Sequence, residues 1–133
     1  SLNVLITLPR ETVVSKIKGY QSSMRLLVSS LVSMGKNVAI KYHPSAGKKD
    51  PLNLEKLGAV KLPSHVSFEF FIPYLQNCQV IGDFSTTVLM AHYAKKVSVT
   101  ILQPSRGKGL DAMVELCEKL DIKIMDMKSI QNQ

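Results

Sequence analysis

Asn37-Val38-Ala39-Ile40-Lys41-Tyr42-His43-Pro44 begins as a short β-branched, apolar run and breaks into a basic turn in which Pro44 fixes the backbone direction. It reads as a strand, Asn37 to Tyr42, handing over to a loop at His43. Working backward, Tyr20, Met24, Leu27, Leu31 and Met34 recur at helical spacing and predict a helix over 20–34, which Gly35 stops. Before it, Leu2 to Leu8 predicts the first strand, ended by Pro9. Working forward, a polar loop from Pro44 to Pro51 leads to a short helix near 52–57, and Ala59-Val60-Lys61-Leu62 predicts a third strand closed by Pro63. A helix over 66–77 follows, kinked or divided by Pro73. Gln79 to Gly82 is a fourth strand, 85–95 a helix that Ser85 can cap, and Val97 to Leu102 a fifth strand. Leu110, Met113, Val114, Cys117 and Leu120 define the last amphipathic helix, Ile122 to Met125 closes the series, and the tail from Ser129 is expected to fray.

Six short strands alternating with helices predict a mostly parallel sheet covered on both faces, since parallel neighbours require crossover connections. The expected architecture is α/β, a Rossmann-like three-layer sandwich. The 133 residues suit one domain, with no internal repeat, low-complexity tract or domain boundary. Ser1 reads as a cloning remnant, so the expectation is a domain excised from a larger, two-domain enzyme.

The net charge of +7 is uneven: residues 1–50 carry eight Lys/Arg against two acids, and residues 51–133 nine against eight. A basic first half favours anionic partners, such as a nucleotide sugar, a membrane surface or nucleic acid, or is simply a solvated face. The basic residues lack the aromatic interleaving of single-strand binders, so nucleic acid is not the expected partner. No apolar run approaches the ~20 residues of a membrane span, and no charged-then-apolar leader opens the chain. The expectation is therefore a cytoplasmic chain, with peripheral association at the inner face of the plasma membrane as a further option. Cys78 and Cys117 form no ligand spacing and read as buried, reduced thiols; no metal site is expected.

In an open α/β sheet, ligands bind beyond the carboxyl ends of the strands, so residues there carry the functional reading. His43 follows the second strand and can donate to a phosphate oxygen or, as imidazolium, offset charge on a departing phosphate. Gly82 allows close backbone approach, and Ser85 and Thr86 open a helix whose N–H groups and hydroxyls can cradle an anion. Simple N-capping is the alternative for Ser85. Glu69, within Phe68-Glu69-Phe70-Phe71, faces either solvent or a ribose diol. Asp83 reads as a surface or helix-entry residue, and Arg106 and Lys108 as a basic loop that reaches a ligand or is merely solvated. Neither GxGxxG nor GxxxxGK[ST] is present.

His43-Pro44, Ser67-Phe68-Glu69 and Gly82-x-x-Ser85-Thr86, in this order and spacing, resemble bacterial sialyltransferases, both lipooligosaccharide and capsular polysialyltransferases. The resemblance is strongest over residues 37–105 and extends to the flanks by topology. It implies the C-terminal, donor-binding half of a GT-B glycosyltransferase. It further implies that His43 contacts the donor phosphate as its catalytic role, that Ser85 and Thr86 bind the same phosphate, and that Glu69 binds the ribose. Pro44 and Gly82 would shape the pocket. The implied donor is CMP-sialic acid, with no metal or other cofactor. The general base and most acceptor contacts would belong to a missing N-terminal domain that brings the glycan acceptor, so no acid of this chain is assigned as base and the isolated domain is expected to be inactive. Two alternatives remain open at this stage: a CDP-linked polymer glycerophosphotransferase-like domain, and a non-catalytic basic module for polyanions or membrane surfaces.

Overall fold

A computed structural model describes residues 2–83, 86–93, 97–103 and 110–131. The strands are β1 (Val4–Thr7), β2 (Val38–Lys41), β3 (Val60–Lys61), β4 (Cys78–Gly82), β5 (Val97–Gln103) and β6 (Lys123–Asp126). The helices are α1 (Glu11–Val14), α2 (Tyr20–Ser33), α3 (Thr86–Tyr93), α4 (Leu110–Lys119) and α5 (Met127–Gln131). The sheet order is β3-β2-β1-β4-β5-β6, and every neighbouring pair is parallel. This is the Rossmann-like α/β arrangement that the alternation of elements predicts.

Alternating residues of the central strands feed two cores. Val4, Ile6, Val38, Ile40 and Ile81 pack on one face with Tyr20, Met24, Leu27 and Val28 of α2. Leu5, Ala39, Cys78 and Val80 pack on the other with Ala91 of α3 and Cys117 of α4. Strands buried on both faces tolerate no polar alternation, which is why β1 and β2 are apolar up to their last residues, Thr7 and Lys41. Both cysteines are buried and unpaired, as expected.

Helix α2 ends in a Schellman motif. Gly35 adopts φ +80°, the Lys36 N–H donates to the Leu31 carbonyl at 3.1 Å, and the Gly35 N–H donates to that of Val32 at 2.9 Å. A side chain at Gly35 would meet no atom within 4 Å, so backbone conformation, not space, demands glycine there.

Three elements differ from the sequence reading. The helix expected over 66–77 is a pair of 3₁₀ turns, Phe68–Phe70 and Ile72–Tyr74. Pro73 has no N–H to return to Glu69, so the chain closes tighter i→i+3 bonds: Phe70 N–H to Ser67, Phe71 N–H to Phe68, and Leu75 N–H to Ile72. The tail does not fray at Ser129. Met127 and Ile130, each 3% exposed, pack α5 into the α2 core. The single-turn α1 was also not foreseen.

The order reverses between β1 and β4: β2 and β3 extend the sheet one way, β5 and β6 the other. At such a reversal the loops leaving the two strands diverge and open a crevice. Register places Thr7 beside Lys41, while Gly82 lies one residue beyond the Ile6–Ile81 pair.

Candidate functional site

The crevice at the reversal holds a cavity of about 290 Å³, lined by Thr7, Lys41, His43, Pro44, Ser67 and Asp83 among others. Three strand ends supply it, and each contributes a different chemistry.

From β2 comes His43. It caps the 3₁₀ turn Pro44–Ala46, its Nδ1 accepting from the Ser45 N–H at 3.1 Å and lying 2.9 Å from the Ser45 hydroxyl. Pro44 suits the first position of that turn, since its ring presets φ and the missing N–H costs nothing there. The Arg10 Nε–H, at the end of β1, points at His43 Nε2 from 3.3 Å. Burial lowers the His43 pKa, and the positive charges of Arg10 and Lys41 lower it further against the opposing pull of Asp83. These influences favour the neutral ring, and an arriving phosphate would act in the opposite direction by favouring the charged form.

Lys41, one residue before, is only 6% exposed, with Nζ donating to the Ser64 carbonyl at 3.1 Å. Burial lowers its pKa, and the Glu69 carboxylate works in the opposite direction. Among the described residues Lys41 forms no ion pair, which makes its buried charge costly, and it lines the cavity as a positive group.

From β4 comes Asp83. It lines the main cavity and also a small enclosed one, about 70 Å³, with Thr7, Tyr20 and Gly82. Burial raises its pKa, against its own backbone hydrogen bond and the attraction of His43. Burial also raises the Tyr20 pKa, with Asp83 adding to the effect. The Thr7 Oγ1, on the same wall, is buried with no hydrogen-bond partner among the described residues.

A second, larger cavity of about 850 Å³ lies between α1, α2 and the loop after β2, and it shares Leu8, Pro9, Tyr42 and His43 with the first. His43 stands on the rim between the two.

No family model and no curated protein matches this chain. The functional reading therefore stands on the residues themselves.

Of the residues singled out from the sequence, His43 and Pro44 line the main cavity, and Gly82 lines its small annex. Glu69 is exposed, accepts a hydrogen bond from the Ser67 hydroxyl, and sits just past the lining pair Ser67 and Phe68. Thr86 is the first residue of α3, four positions after Gly82 ends β4. Ser85, Arg106 and Lys108 lie outside the described residues. Among the described residues, no group of His, Cys, Asp and Glu could hold a metal ion, and no helix is long and apolar enough to cross a membrane.

Sequence reasoning passed over Arg10, Thr7 and the buried role of Lys41. Arg10 follows Pro9 at the carboxyl end of β1, so the rule that drew attention to His43 would also have found it. No sequence signal announced that Thr7 would lack a partner among the described residues, because this depends on what surrounds its hydroxyl.

Proposed function

We propose that this chain is the donor-binding domain of a sialyltransferase-type glycosyltransferase, holding CMP-sialic acid at the crevice between β1 and β4. One observation carries the reading: His43 stands at the carboxyl end of β2 beside the sheet reversal, with Arg10 and Lys41 making its surroundings positive. A phosphate placed there would gain hydrogen bonding and electrostatic stabilisation of the charge that develops as the sugar leaves. Pro44 and Gly82 would shape the backbone around the ligand, Ser85 and Thr86 would donate to the same phosphate, and Glu69 would accept from the ribose. The acceptor hydroxyl would lose its proton to a base on a partner domain, and the parent enzyme would build lipooligosaccharide or capsular polysaccharide at the inner membrane face.

Titration of the ¹⁵N-labelled chain with CMP, CMP-sialic acid, CDP-glycerol and the other nucleoside monophosphates tests this. CMP and CMP-sialic acid are expected to shift amides around His43 and Thr86, and His43→Ala to weaken binding by roughly 1–3 kcal/mol, the cost of a lost hydrogen bond to a charged group. Preference for CDP-glycerol would move the chain to polymer glycerophosphate transfer. Equal, steeply salt-dependent binding of all polyanions would replace the enzyme reading with a charge-driven module.

A further inference from the structure

Two obligatory donors and one hydroxyl converge on one imidazole. The Ser45 N–H reaches Nδ1 at 3.1 Å, the Ser45 hydroxyl lies 2.9 Å from the same atom, and the Arg10 Nε–H reaches Nε2 at 3.3 Å. A backbone N–H and a guanidinium N–H can only donate, and a neutral imidazole has a single lone pair to offer. The ring therefore cannot accept from both. The 3₁₀ turn fixes the Ser45 N–H, since the His43 side chain is its cap, so Nδ1 is the acceptor and the ring proton sits on Nε2. Arg10 Nε–H and His43 Nε2–H then face one another, two donors in need of one acceptor.

We infer that Arg10 and His43 form a two-donor clamp for a phosphoryl oxygen at the rim where the two cavities meet. This deepens the proposed function, and rests on it only for the identity of the nucleotide; the clamp itself requires a phosphate group and no particular base. An oxyanion that parts the two groups, which stand 3.3 Å from each other, accepts from both, and a charged acceptor strengthens each bond. Arg10 suits the task because its guanidinium remains charged and offers further N–H groups to the same phosphate. The surroundings agree. Lys41 lies below the rim, and among the described acids Asp83 acts on His43, Glu69 acts on Lys41, and Glu11 lines the larger cavity. His43, Leu8, Pro9 and Tyr42 line both cavities, so a phosphate on the rim can carry one substituent into each. Arg10 is itself exposed, so changing it should leave the fold intact.

The test is a titration of the ¹⁵N-labelled chain with inorganic phosphate, CMP and, as a phosphate-free control, cytidine, observing the Arg10 Nε–H and the His43 ring nitrogens. Phosphate and CMP are expected to shift both groups, and cytidine neither. Arg10→Ala is expected to raise the CMP dissociation constant by roughly 10- to 100-fold, as for a lost charge-assisted hydrogen bond, with Arg10→Lys in between and Tm unchanged. If CMP binds and Arg10→Ala stays within about twofold of the parent chain, the clamp is overturned while the donor reading survives. If phosphate shifts both groups but CMP binds no better than other nucleoside monophosphates, the clamp stands and the cytidine assignment falls. Absence of any shift at Arg10 and His43 at tens of millimolar phosphate overturns the clamp outright.

Discussion

Two polar clusters flank the end of β2, one residue apart in sequence, and they are built on opposite terms. Around Tyr42, every donor has an acceptor. The Tyr42 hydroxyl donates to Asp50 Oδ1 and accepts from the Leu52 N–H at 3.2 Å, while the Asp50 carboxylate also takes the Leu54 and Glu55 N–H groups at 3.1 and 3.0 Å. Burial alone would push the Asp50 carboxyl up, but those hydrogen bonds and the Lys61 ammonium outweigh it and hold it below the ordinary range. Around His43 the balance is reversed: donors exceed acceptors, the Asp83 carboxyl is pushed up by burial, and Thr7 Oγ1 has no partner among the described residues. The first cluster is a knot that shapes the loop from Pro44 to Leu57. The second leaves donors and a hydroxyl unmatched among the described residues. Stability favours the first kind of cluster, and sites for charged ligands are commonly of the second kind.

The largest effect that would sharpen this contrast is expected from Asp50→Ala. It removes the acceptor of three hydrogen bonds at once and should cost about 3 kcal/mol in denaturant unfolding. A cost under about 0.5 kcal/mol, the level of an ordinary surface change, would break the comparison. Tyr42→Phe should cost less, about 1–2 kcal/mol, because it strands the Leu52 N–H while Asp50 keeps its backbone donors. The smallest effect, and opposite in sign, is expected from Asp83→Asn. The folded-state pKa of Asp83 is raised, so its contribution to stability is complete below the ordinary carboxylate range and is lost as pH rises through the raised value. Asparagine removes that loss, so Tm should rise at pH 7 and match the parent chain in acid. Asp50 has the contrary slope: its contribution is present above the ordinary carboxylate range and is lost as pH falls through the lowered value. Tm measured against pH for the parent chain, Asp50→Asn and Asp83→Asn would expose the two slopes; parallel profiles for both variants would show that the clusters do not differ in kind.

Much of this was legible in the chain. The alternation of apolar strands with helical stripes gave the parallel sheet, because strands covered on both faces must be apolar throughout and their crossovers need length. Lys41-Tyr42-His43-Pro44 was recognisable as a strand end by its abrupt change from apolar to basic. The segment 66–77 carries a Pro73 expected to kink or divide it, but how far it shortens the helix is settled only when the backbone must choose between i→i+4 and i→i+3 bonds. Helix α5 was missed because two apolar residues, Met127 and Ile130, are too few to signal a helix until α2 is there to receive them.

The sequence by itself determined the α/β alternation, the unpaired buried cysteines and the position of His43 after a strand, since each depends on local composition and periodicity. The strand order, and with it the crevice between β1 and β4, was decided only by tertiary structure. So was the meeting of Arg10 with His43 across 33 positions of sequence, along with the opposite fates of Asp50 and Asp83. A carboxylate's charge state and a donor's satisfaction depend on what lies within a few ångströms, and distance along the chain does not encode distance in space.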